Sequence, residues 1–177
     1  MKTYVVLLRG INVGGHNKIP MVELRELMNE VGLLKVQTYI QSGNVVFQSS
    51  ENEISLENKI QKSIKTHFGF EVPVLVKSSK ALLEIFNNCP FEKGIMEKSY
   101  FIVLNRIPET TLIEEVNKIS FEKEEFNIKN DCLYFYSALG FGQTKFNMNA
   151  FERKLQVKGT ARNYNTMLKL LSLCDEI

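Results

Sequence analysis

Residues 4–20 read Tyr4-Val5-Val6-Leu7-Leu8-Arg9-Gly10-Ile11-Asn12-Val13-Gly14-Gly15-His16-Asn17-Lys18-Ile19-Pro20. The first five are apolar on both alternating faces, Tyr4, Val6 and Leu8 on one and Val5 and Leu7 on the other. A strand apolar on both faces is a central strand with material packed above and below it. Beyond Pro20, which suits a helix start, Met21, Leu24, Leu27, Met28 and Val31 recur at helical spacing, and Gly32 is placed to end the helix. The connection between strand and helix holds three glycines, two asparagines, Arg9, His16 and Lys18. It is longer than a strand-to-helix turn requires.

Outward from that strand the pattern continues. Val36 to Gln41 and Asn44 to Gln48 are strand-like and flank Ser42-Gly43, a hairpin signal. Leu56, Ile60, Ile64 and Phe68 mark a second amphipathic helix, closed by Gly69. Glu71 to Lys77 is a fourth strand, with Pro73 arguing for an edge position or an early bulge. The order β-α-β-β-α-β folds most simply as a ferredoxin-like split βαβ sheet with two helices on one face. Ser78 to Asn88 predicts a third helix, and residues 87–99 an irregular crossing. Then come a strand at Tyr100 to Asn105, a helix after Pro108, strands at Phe126 to Ile128 and Cys132 to Tyr136, and helices at Phe146 to Leu155 and Tyr164 to Leu173. The second half thus reads β-α-β-β-α-α, repeating the first four elements of the first half. The expectation is an α+β chain of two ferredoxin-like subdomains packed together, residues 1–88 and 89–177, the second carrying two C-terminal helices.

Composition bounds the function. The chain has 177 residues, 44% hydrophobic and 24% charged, with a net charge of +2. That is ordinary for a globular protein and too mildly basic to argue for nucleic acid by itself. The charge is uneven. Residues 145–169 carry Lys145, Arg153, Lys154, Lys158, Arg162 and Lys169 against Glu152 alone, and residues 109–125 carry Glu109, Glu114, Glu115, Glu122, Glu124 and Glu125 against Lys118 and Lys123. Cys89, Cys132 and Cys174 are far apart and in no Cys-x-x-Cys pair. This fits a reducing cytoplasm and argues against a disulfide framework or a zinc site. No apolar run approaches the ~18–20 residues of a membrane span, and Lys2 and Arg9 interrupt any signal core.

Three blocks carry a resemblance: Leu8-Arg9-Gly10-Ile11-Asn12-Val13-Gly14-Gly15 with Lys18 and Pro20, then Thr38-Tyr39-Ile40-Gln41-Ser42-Gly43-Asn44-Val45-Val46-Phe47, then Thr160-Ala161-Arg162-Asn163-Tyr164-Asn165-Thr166. In order, along the whole chain, they resemble the bacterial family called domain of unknown function 1697. The resemblance implies two ferredoxin-like subdomains and a cytoplasmic protein. It implies no activity and no catalytic residues, because that family has none established. Cys89, Thr144 and Tyr164 depart from the asparagine, serine and tryptophan common in members.

The chemistry-bearing residues fall into the same blocks. Backbone N–H groups around Gly10, Gly14 and Gly15 suit an anion, and Arg9 and Lys18 add charge. The loop matches neither a P-loop nor Gly-x-Gly-x-x-Gly. Its other reading is packing beneath the second subdomain. Gln41-Ser42-Gly43-Asn44 offers hydrogen bonds to a ligand, or plain turn chemistry. Thr160 or Asn163 can cap the last helix. The planar fork of Arg162 suits a carboxylate or phosphate, or an ion pair with the acidic segment. His16 and His67 are the only histidines, and no Cys-His or Ser-His spacing is readable. The expected function is therefore binding of a small anionic ligand (nucleotide, phosphate ester or carboxylate) in a cleft between subdomains. Arg9, Gly10, Asn12, Gly14, Gly15, Lys18, Ser42 and Asn44 would form one wall, and Lys145, Arg162, Asn163 and Asn165 the other. The alternatives are a protein-interaction scaffold using the acidic segment, or backbone contacts to nucleic acid through the basic C-terminal region. The sequence assigns no metal, cofactor, catalytic step or oligomeric state.

Overall fold

The computed structural model describes all residues, Met1–Ile177. Strand β1, Lys2–Leu8, is buried on both faces, as its pattern requires: Val5, Val6 and Leu7 are each 0% exposed. Around it the chain builds α1 (Met21–Glu30), β2 (Leu34–Tyr39), β3 (Asn44–Ser49), α2 (Glu53–Phe68) and β4 (Val74–Ser78). The strands form one antiparallel sheet in the order β2-β3-β1-β4, the split βαβ arrangement. Tyr4, Val6, Leu8, Val45, Phe47 and Val76 meet Leu24, Leu27 and Met28 of α1 and Leu56, Ile60 and Ile64 of α2 in one apolar core.

The ends of these elements have local causes. In α2, Asn52 Oδ1 accepts from the Ser55 N–H at 2.9 Å, and Gly69 (φ 81°) closes the helix in the left-handed region. Pro20 stands as the N-cap of α1, one position before the first helical residue. The β2–β3 turn is longer than a two-residue hairpin. It spans residues 40–43 because Ile40 takes φ 48° and ends the strand at Tyr39. β4 is an edge strand and Pro73 lies just outside it. Glutamates of α2 bond β4 backbone amides: the N–H groups of Val76 and Ser78 donate to Glu57 Oε1 at 2.9 Å and Glu53 Oε1 at 2.8 Å.

After β4 come α3 (Ser79–Asn87), a single turn α4 (Lys93–Met96), β5 (Tyr100–Leu104), α5 (Thr110–Val116), β6 (Glu124–Lys129), β7 (Cys132–Ser137), a 3₁₀ turn (Phe141–Gln143), α6 (Met148–Leu155), β8 (Gly159–Asn163) and α7 (Tyr164–Asp175). β8 is not expected from the sequence, which leaves residues 156–163 as a connection between two helices. It pairs antiparallel with β5 along Tyr100↔Asn163 to Leu104↔Gly159 and completes a second sheet, β6-β7-β5-β8. Both sheets therefore share one topology. On one face of the second sheet lies a core of Ile102, Leu104, Leu133, Phe135, Phe146, Phe151 and Leu155. On the other, Phe101 stacks on Phe86 of α3 with ring centroids 5.6 Å apart, and the Tyr134 hydroxyl donates to the Ile85 carbonyl at 2.7 Å. The chain divides into two compact units, Met1–Leu83 with Leu168–Ile177, and Glu84–Met167.

Candidate functional site

The loop between β1 and α1 is a braced structure. Asn12 holds it. Its Nδ2 donates to the carbonyls of Ile19 and Gln41, both at 2.9 Å, and its Oδ1 accepts from the Ile19 N–H at 2.8 Å. The Asn12 N–H donates to the Asn17 carbonyl at 3.1 Å, and Asn17 Nδ2 donates to the Gly10 carbonyl at 3.1 Å. Beyond that brace, Val13 to His16 form a miniature hairpin closed by the His16 N–H on the Val13 carbonyl. Gly14 (φ 59°) and Gly15 (φ 79°) are its two central residues. Two successive positive φ values are what a tight hairpin turn demands, and glycine meets that demand without strain. The tip is exposed, with Val13 at 68%, so the glycines do not serve to bury the loop.

The neighbouring turn is packed from below. The Gly43 carbonyl accepts from the Leu8 N–H at 2.8 Å, and a Cβ on Gly43 would lie 2.7 Å from Leu8 Cβ. Asn44 is fully buried, and its Nδ2 donates to the Tyr39 carbonyl and to Ser42 Oγ, both at 3.0 Å. Arg9, half-buried, ties its N–H to the Pro73 carbonyl at 3.1 Å. Of the predicted residues, Asn12, Gly15 and Lys18 line one depression of about 470 Å³, together with Ile19, Pro20 and Gln41. Lys18 is exposed there.

Lys145, Arg162, Asn163 and Asn165 belong to the second unit. Arg162 lies on β8 and is 6% exposed. Its Nη1 donates to Thr160 Oγ1 and to the Ala161 carbonyl, both at 2.8 Å, and burial pushes its guanidinium down to about 10. Asn163 caps α7, its Oδ1 accepting from the Thr166 N–H at 2.9 Å. Asn165 and Lys145 are exposed, and the Lys145 N–H donates to Glu124 Oε1 at 2.9 Å. In the sequence Glu124 stands out only as one of the glutamates of the acidic segment 109–125. Its neighbours Ser137 and Lys145 are distant in the chain, so no local signal marks it. No group of three or more His, Cys, Asp or Glu side chains is placed to hold a metal ion.

An α+β chain with two split βαβ sheets, and a braced glycine loop beside the central strand of the first, defines the class. The chain belongs to a family described as proteins of unknown function, DUF1697, whose sequence model matches residues 1–134. In fold it is similar to the conserved bacterial protein SP0830 from Streptococcus pneumoniae, with a TM-score of 0.73 and 23% identity over 98% of each chain. No curated protein matches it. No helix is long and apolar enough to cross a membrane.

Proposed function

We propose that this chain binds a small anion, a carboxylate or phosphate ester, in the depression of the first unit. The observation that carries the reading is the bracing of the loop by Asn12. Its side chain joins Ile19 and Gln41, so the walls of the depression are set before a ligand arrives. Preorganisation of this kind removes ordering cost from binding. Lys18 supplies the positive charge as a mobile point charge. Arg9, Gly10, Gly14, Ser42 and Asn44 shape the two loops behind it. In this reading the protein is cytoplasmic, which its three free cysteines favour. Any acceleration of a reaction would come from positioning and electrostatics.

Thermal melting with inorganic phosphate, citrate and adenosine monophosphate tests the proposal. A ligand at about 100 times its Kd raises stability by about 2.7 kcal/mol. Lys18→Ala, at an exposed position, is expected to weaken binding about tenfold while leaving the unliganded melt unchanged. If none of the three shifts the melt, or if Lys18→Ala binds as tightly as the native chain, the depression is not the site.

A second reading has its own observation. Arg106, Arg153 and Lys158 line one depression of the second unit, of about 450 Å³, and this favours phosphate-backbone contacts to nucleic acid. Such binding weakens steeply with salt. A flat salt dependence of oligonucleotide affinity excludes it.

A further inference from the structure

Glu124 opens β6, the edge strand of the second sheet, and is 7% exposed. Its carboxylate is held from one side only. Oε1 accepts from the Lys145 N–H at 2.9 Å and lies 3.5 Å from Ser137 Oγ. Oε2 is closed off from solvent and has no hydrogen-bond partner. A buried carboxylate oxygen without a donor has lost its water and gained nothing in exchange, so such an atom calls for an explanation. Glu124 also lines a depression of about 440 Å³, with Ser120, Phe121, Glu125, Phe126 and Asn127. Phe121 and Phe126 make an aromatic corner there, ring centroids 6.4 Å apart and 66° from parallel.

We propose that this depression is a binding site for a small primary alkylammonium ion, with Glu124 as its anchor. Three features select that chemistry. The orphaned oxygen needs a donor and carries negative charge, and an ammonium brings N–H donors and a compensating positive charge. Ring faces steeply inclined to one another attract a cation and accommodate an alkyl stem. Ser120 also lines the depression and offers an oxygen acceptor for a remaining N–H group. A metal ion is the poorer occupant, because no third metal-ligating side chain completes a set. The proposal is independent of the anion site in the first unit.

The test uses n-butylammonium chloride, with 1-butanol as the neutral control of the same shape, on the full chain. In ¹H–¹⁵N spectra n-butylammonium is expected to shift the amides of residues 120–127, and 1-butanol to leave them in place. Glu124→Gln is expected to weaken that binding at least about tenfold. Ser120→Lys, at an exposed position, provides an ammonium within the chain, so it is expected to raise the melting temperature and abolish the response to n-butylammonium. It also keeps the test open if Glu124→Gln does not fold. Equal responses to n-butylammonium and 1-butanol overturn the proposal. So does full n-butylammonium binding by either variant. No response of the native chain to n-butylammonium also overturns it.

Discussion

At the scale of single residues, the glycine of the first loop and that of the neighbouring β2–β3 turn differ, Gly10 being required for its backbone and Gly43 also for its lack of a side chain. A Cβ on Gly10 (φ 70°) would meet nothing within 4 Å. On Gly43 (φ 81°) it would lie 2.7 Å from Leu8 Cβ and 2.8 Å from Ile11 Cδ1. Leu8 and Ile11 are almost fully buried and cannot retreat. Gly10→Ala is therefore expected to cost only the left-handed penalty, about 1–2 kcal/mol. Gly43→Ala adds overpacking to that penalty, for about 2–5 kcal/mol in all. Urea denaturation of both variants checks the ranking, and equal losses would mean that the Gly43 contact relaxes freely. Asn12 shows the reverse use of a loop residue. Both of its amide hydrogens and its Oδ1 are engaged within the chain, so it shapes the depression and has little left to offer a ligand.

At the scale of elements, helix α2 does more than fill the core. Its Glu57 reaches the Val76 amide on the edge strand β4, and a bonded amide is no longer available to a second strand. Burial pushes the Glu57 carboxyl above the usual carboxylate range, against the opposing pull of the Val76 N–H and of Lys77. The folded chain thus holds a proton on Glu57 more tightly than the unfolded chain does. Folding is favoured below the ordinary carboxylate pKa, and that benefit is lost as pH rises through the raised value. Glu57→Gln keeps an oxygen for the Val76 N–H and removes the charge. Its melting temperature is expected to exceed that of the native chain near neutral pH and to converge with it on acidification. A lower melting temperature at neutral pH would show that the charge on Glu57 is needed. Glu51 has the opposite sign. Side-chain bonds from Lys59 and Ser55 hold it below the usual range, so its contribution fades as pH falls.

At the scale of the molecule, the first unit takes in residues 168–177, where Leu170, Leu173 and Cys174 are buried. Each buried leucine is worth about 1.5–3 kcal/mol, and a domain has only about 5–15 kcal/mol in total. Deleting residues 168–177 is expected to lower hydrogen-exchange protection throughout β1, and unchanged protection at Val5 and Leu7 would refute that placement. Much of this architecture is legible in the chain. The double-sided pattern of Tyr4 to Leu8, the helical spacing of Leu56, Ile60 and Ile64, and the glycine stops determine element order and the split βαβ topology of the first sheet. These signals are local periodicities, and a single sequence displays them directly. β8 escaped because Gly159-Thr160-Ala161-Arg162-Asn163 has no alternation of large apolar residues. It is a strand because β5 offers an open edge, and because Gly159 leaves room where a Cβ would lie 3.0 Å from Leu104 Cδ2. Among the candidate binding residues, the sequence by itself determined their kinds and their blocks. Only the tertiary structure decided that Arg162 is buried, that Asn12 joins Gln41, and that Glu124 is held by the amide of Lys145 with its other oxygen bare. The physical reason is one of range. A hydrophobic pattern is written within a few neighbouring residues, whereas a hydrogen bond depends on ångström-scale placement of groups that the chain brings together from far apart.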